Sequence, residues 1–196
     1  MAVHAERRNS GLVGRLNGAH HRAALNVYLL IVVAHWAEHL VQAYQIWGLG
    51  MARPQARGVL GQYYPWLVTS EWLHYGYALV MLVGLFLLRP GFVGRARTWW
   101  TVSLALQFWH HIEHGLLFLQ AQFDTTFFGA AVPTSIVQLV LPRVELHLFY
   151  NSVVFVPMLI AMYLHLRPNA AELATTMCSC VARSRPQTRQ PASTPA

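Results

Sequence analysis

The sequence predicts an all-α integral membrane protein, a four-helix bundle of four transmembrane helices, and three observations predict it. Only 11% of its 196 residues are charged and 55% are apolar, whereas a soluble domain carries about 25% charged residues. Four apolar segments, 23–47, 66–88, 98–120 and 144–166, are each long enough to cross a hydrocarbon core of about 30 Å at about 1.5 Å per residue. Ionisable residues recur inside all four segments at matching depth. A polar group in lipid needs a partner, so this pattern reads as one shared site.

Taken in order, residues 1–21 form a basic N-terminal segment. No small-residue cleavage site follows it, and the apolar run after Arg22 is too long for a signal h-region, so the first helix is expected to be retained. Trp47, Trp66, Trp99 and Trp100 stand near segment ends, where an interfacial aromatic belt would place them. The loop 48–65 carries Pro54, Gly58, Gly61 and Pro65 and has room for a short helix. Residues 121–143 contain an apolar stretch, Ile136 to Leu141, between Pro133 and Pro142. It is too short to span, so an interfacial or re-entrant segment is expected. The transmembrane domain is thus 22–167. Residues 168–196, rich in Pro, Ser, Thr and Arg, are expected to be a disordered tail.

All fourteen basic residues are Arg. With the N-terminus inside, eleven of them flank the cytoplasmic ends and only Arg53, Arg57 and Arg143 lie outside, which predicts a multi-pass membrane protein with both termini cytoplasmic. The net charge of +7 is spread between apolar runs and forms no basic stripe, so nucleic acid is not an expected partner. Cys178 and Cys180 fall in the tail and read as ordinary reduced thiols.

The polar residues within the spans carry the functional argument. The first segment holds His35, Glu38 and His39; the second Glu71 and His74; the third His110, His111, Glu113 and His114; the fourth Glu145 and His147. Residues three or four apart share a helix face, so His35, Glu38 and His39 point together, and His110, Glu113 and His114 repeat that spacing. Gln42 extends the first face. At about 1.5 Å per residue, His39 and His74 lie about 12 Å from the outer ends, His114 about 9 Å and His147 about 8 Å. One metal site in the extracytoplasmic half is therefore expected. A weak internal repeat supports it: His-x-x-Glu-His in segments one and three, His-x-x-Tyr (His74/Tyr77, His147/Tyr150) in two and four.

The expected ligands are His35, Glu38, His39, Glu71, His74, His110, Glu113, His114 and His147, with Glu38 and Glu113 as catalytic proton acceptors. Glu145 can instead favour a helix N-terminus, His111 can donate to Glu113 or Glu71, and His4, His20, His21 and His165 read as surface residues. Imidazole suits Zn, Cu, Fe and Ni, and the number of donors predicts two ions, iron before zinc or copper. Inward-facing Glu and His of this kind build the di-metal site of ferritin-like bundles, a parallel of ligand chemistry and not of descent. The expected function is a di-iron oxidoreductase (oxidase, hydroxylase or desaturase) acting on a lipid-soluble substrate or quinone from the bilayer, as a homo-oligomer or with an electron-transfer partner. Three alternatives stand beside it: a b-type haem cytochrome, a zinc-dependent intramembrane hydrolase using His-x-x-Glu-His, and a non-enzymatic ion or proton carrier.

Overall fold

A computed structural model describes residues 11–176 and 178–181. The expectations for His4, Arg7, Arg8 and the tail beyond 181 lie outside the described residues. Within them the chain is helical and contains no strand. After the short α1 (Leu12–Asn17) come four long helices separated by shorter pieces: α2 (His21–Ala43, continued by a π-helical turn Tyr44–Gly48), α3 (Leu60–Tyr63), α4 (Trp66–Thr69), α5 (Glu71–Leu88), α6 (Gly94–Gln122), α7 (Arg143–Leu166) and α8 (Ala170–Thr175).

Three of the long helices, His21–Gly48, Glu71–Gly91 and Arg143–Leu166, are long and apolar enough to cross a membrane. The remaining one, α6, is the longest, yet it carries the most polar residues. Ser103, Gln107, His110, Glu113, His114 and Gln120 are all buried on its inner face. Outward-facing side chains are largely apolar, among them Leu30, Val80, Phe86, Phe108 and Val156. Polar residues inside and apolar residues outside invert the soluble pattern and suit a lipid surround.

The second expected segment is divided. Ser70 is extended (φ −82°, ψ 112°) and its hydroxyl accepts from the Leu73 amide, so α5 begins at Glu71 and Trp66–Thr69 stands apart as α4. A short helix does form in the first outer loop, at Leu60–Tyr63. In the second, the apolar stretch after Pro133 makes a 3₁₀ turn, Val137–Leu139, with Leu139 and Val140 exposed.

The helices are joined in two distinct ways along their length. Toward one end, Leu25, Tyr28, Leu85, Phe92, Trp100 and Met158 belong to a closed apolar core. Its polar tips reach across to main-chain carbonyls: Tyr28 Oη donates to Met81 O at 2.9 Å, Trp100 Nε1 to Leu85 O at 2.8 Å, and Ser103 Oγ to Val154 O at 2.8 Å. Each buried hydrogen bond contributes about 1 kcal/mol and sets helix rotation as well. At the same end Asn17 clamps the α5–α6 turn, donating to Leu87 O and accepting from Gly91 N, both at 2.8 Å. Toward the other end the interior becomes polar, and there the histidines gather.

The tail departs from expectation. Residues 170–175 are helical and Cys178 and Val181 are buried, so the chain beyond Pro168 packs on the helix ends over its described length. The physical reason is a capping box: Asn169 and Glu172 satisfy each other's backbone amides. Glu172 also receives Arg95, with Nη2 3.1 Å from Oε2 and the backbone amide 2.9 Å from Oε1. Gly94, at φ +52°, leaves the space for that carboxylate, which a Cβ would enter. The Arg95 guanidinium, with the backbone amides of Asn169 and Arg95, holds Glu172 down at about 2 against an ordinary value of 4.5.

A depressed folded-state pKa stabilises the docked segment fully above 4.5 and is lost as pH falls toward 2. Limited proteolysis is therefore expected to cleave within 168–181 increasingly as pH drops below 4.5, the unfolded value. Asn169→Ala should loosen the same segment at neutral pH by about 1 kcal/mol, the usual worth of an N-cap.

Candidate metal centre

Two helices each present a pair of imidazoles at i, i+4. On α2, His35 Nε2 and His39 Nε2 stand 3.1 Å apart; on α6, His110 Nε2 and His114 Nε2 stand 3.2 Å apart. Two nitrogens bound to one metal at about 2.0–2.1 Å, with an angle of 90–110°, stand about 2.8–3.4 Å apart. Both pairs fall in that range.

The other two helices supply one histidine each. His74 Nδ1 lies 2.8 Å from Ser70 O, and His147 Nδ1 lies 2.7 Å from Arg143 O. A carbonyl can only accept, so the proton sits on Nδ1 in both rings and the lone pair on Nε2. His39 is oriented in the same sense by Gln42, whose Oε1 lies 2.7 Å from Nδ1. His147 Nε2 is buried without a hydrogen-bond partner. Three histidines thus present an Nε2 lone pair with the opposite nitrogen held, which is how ligand imidazoles are usually oriented.

The six rings follow a pseudo-two-fold pattern. His39 stacks on His147 (centroids 5.0 Å, interplanar 22°), and its counterpart His114 stacks on His74 (6.1 Å, 17°). Tyr77 stacks on His35 at 3.7 Å, and Tyr150 on His110 at 4.2 Å. The repeated residues therefore form repeated contacts across the two helical hairpins. The rings of His35, His39, His74, His110, His114 and His147 lie in contact with one another, but among the described residues no three of their donor nitrogens come within 4.8 Å of one another.

The glutamates do not join them. Glu38 turns to the first outer loop, accepting from Val59 N (2.7 Å) and Leu60 N (3.1 Å) at the start of α3. Glu113 accepts from Val137 N (3.1 Å) at the start of the 3₁₀ turn in the second. Both ligand roles and both catalytic roles expected for Glu38 and Glu113 are therefore corrected. A buried backbone amide at a helix start needs an acceptor, and a carboxylate is the strongest one in reach. Glu71 pairs with Arg143, Nη1 to Oε1 2.6 Å, and Glu145 pairs with Arg53. His111 packs against Tyr75, with ring centroids 4.9 Å apart, and bonds to neither Glu113 nor Glu71.

Two further residues belong to this architecture. Gln45 bonds Gly58 through both its oxygen and its nitrogen, and Gln120 does the same for Thr134. They lie 75 residues apart, as do His35 and His110, Glu38 and Glu113, and His39 and His114. That constant offset was the signal available in the sequence, although glutamine alone carries no chemical hint.

Two cavities border the cluster. One, of about 460 Å³, is walled by Ile31, Leu60, Leu67 and Leu73 and reaches His35 and His74. The other, of about 500 Å³, is lined by Arg53, Arg57 and Arg143 together with His39 and His147. The first is mainly apolar but also carries Glu38, Gln42 and Arg57, the second is basic, and both end on imidazoles. At the opposite end of the helices lies another group: His21, His165 and Cys178 place three donor atoms within 4.8 Å of one another, and all three are buried. This overturns the surface reading of His21 and His165. Both stand at helix ends, where sequence position imitates exposure.

Replacing Glu113 by Ala, or Glu38 by Ala, removes the acceptor of a loop amide and is expected to lower the unfolding midpoint through a loss of about 1–3 kcal/mol. Thermal unfolding of the variants checks that expectation. Compared with protein-family models, curated proteins and solved structures, the chain matches none, so its function is read from this geometry.

Proposed function

We propose that the protein is a membrane-embedded metalloprotein whose six histidines hold two redox-active ions and oxidise a lipid-soluble substrate. One ion would take His35, His39 and His147; the other would take His110, His114 and His74. The observation that supports this reading is the paired approach of Nε2 atoms on α2 and on α6; His147 and His74 stack beside these pairs and would have to turn to bring a third nitrogen to each ion.

The donor set bears on the metal. Carboxylate-bridged iron needs oxygens between the ions, but Glu38, Glu71 and Glu113 are engaged by backbone amides and Arg143. An all-imidazole set of three donors per ion favours copper, which binds imidazole most tightly among the divalent first-row ions; iron, a weaker imidazole binder, is the other redox-active candidate. Neutral ligands leave the charge of the ion uncompensated, and this too favours an ion that cycles through a monovalent state. The substrate would enter the 460 Å³ apolar cavity, whose size is typical of small-molecule sites. The oxidase, hydroxylase or desaturase class remains the reading: an oxidase would pass the substrate's electrons to O2, and a hydroxylase or desaturase would draw two further electrons from a quinol or a partner protein as O2 is reduced to water.

In this proposal α6 is the fourth span, its polar face covered by α5 and α7, and both termini face the cytoplasm by the arginine distribution. The closed apolar core below the histidines argues against an ion or proton carrier, which needs polar groups along the whole path.

Purification in mild detergent, with metal analysis and an optical spectrum, tests the proposal. About two copper or iron ions per chain without a Soret band are expected. His147→Ala and His74→Ala should each remove at least one ion, and Gln42→Leu should weaken binding about 10–100-fold. A Soret band would replace the reading with a cytochrome. Failure to bind metal after anaerobic reconstitution would leave a hydrogen-bonded histidine network in its place.

A further inference from the structure

We propose that His21, His165, Cys178 and Cys180 form a second, zinc-binding site that fastens the C-terminal segment to the ends of α2 and α7. This inference is independent of the histidine cluster and rests on the opposite end of the molecule.

The three donor atoms of His21, His165 and Cys178 already lie within 4.8 Å of one another, with His165 Nε2 3.2 Å from Cys178 Sγ. Cys180, two residues on, is tied to Cys178 through its backbone amide and would supply the fourth donor. The set would then be two thiolates and two imidazoles, a common donor set for structural zinc.

His21 is the decisive member. Its side chain is fully buried, and Nδ1 lies 3.1 Å from Leu16 O, so the proton sits there and Nε2 carries a lone pair. Among the described residues that Nε2 has no hydrogen-bond partner. A buried acceptor left unmatched is destabilising, and coordination would remove that cost. Gly91 makes room for the ring, since a Cβ there would overlap it, and Phe92 packs against both His21 and His165 with centroids 5.4 Å and 4.7 Å away.

The tail is shaped to present sulfur. Cys180 N donates to Cys178 Sγ at 3.1 Å, and Ser179 N donates to Gly18 O at 3.1 Å beside the start of α2. Zinc with two thiolates and two neutral imidazoles carries no net charge, so it can lie in this apolar end without an unpaired ion. The donor sets also differ between the two sites: sulfur is available only here, so a metal bound here carries a thiolate signature that the imidazole cluster cannot give.

The full chain purified in detergent provides the test, by zinc analysis and by cobalt substitution. One zinc per chain is expected, and cobalt in its place should show tetrahedral bands with sulfur-to-metal charge transfer, a signature that the all-imidazole cluster does not produce. Cys178→Ser should abolish that signature and weaken zinc binding at least tenfold, leaving the cluster's metal content unchanged. Chelation of the zinc should expose residues 168–181 to protease. Wild-type protein whose cobalt spectrum lacks sulfur charge transfer would overturn the proposal without reliance on any variant. Zinc content unaffected by Cys178→Ser, or a native Cys178–Cys180 disulfide detected by mass, would overturn it as well.

Discussion

The carboxylate that reaches up from a long helix to a backbone amide of the loop above it, made by Glu38 and again by Glu113, sets the geometry beneath it. Each lies one residue before a histidine of the cluster, on a turn that also carries the i−3 histidine. Tying the carboxylate to the loop fixes the rotation of that turn and turns the imidazoles inward. Gln45 and Gln120 anchor the same loops one to two turns further on. The loops 48–65 and 123–142 are therefore part of the framework of the histidine cluster, although none of their residues is among the six imidazoles.

Beneath the cluster the constraint changes from hydrogen bonding to close packing. Trp100, Phe92, Leu85 and Met158 are almost wholly enclosed, and their neighbours bond backbone carbonyls across the helix pairs. A closely packed apolar half is joined to a polar half bordered by two cavities, so the framework is held at one end and the open space lies at the other, beside the histidine rings. The same apolar half ends in His21 and His165, which places the second donor group where the tail returns to the helices.

The repeat gives the two halves the same device with different surroundings. His74 and His147 both direct Nδ1 to the carbonyl four residues back, and Tyr77 and Tyr150 both stack on the first histidine of the neighbouring long helix. Yet Glu71 pairs with Arg143 from the other hairpin, whereas Glu145 pairs with Arg53 from the first outer loop. These cross-links tie one hairpin to the other at the level where the stacked histidines meet.

By itself the sequence determined that the chain is helical, that long apolar segments recur, and that six histidines share faces and depth. Those properties follow from periodicity and rise per residue, which are local. Tertiary structure decided which polar groups meet. Spacing places Glu38 and Glu113 on the same faces as their histidines, but a face spans enough arc for one side chain to turn outward, and the unsatisfied loop amides draw the carboxylates away. Nothing local distinguishes a histidine at a helix end that meets solvent from one that meets a returning tail. His21, His165, Cys178 and Cys180 lie too far apart along the chain for any periodicity to relate them, and only the packing of residues 168–181 on the helix ends brings them together.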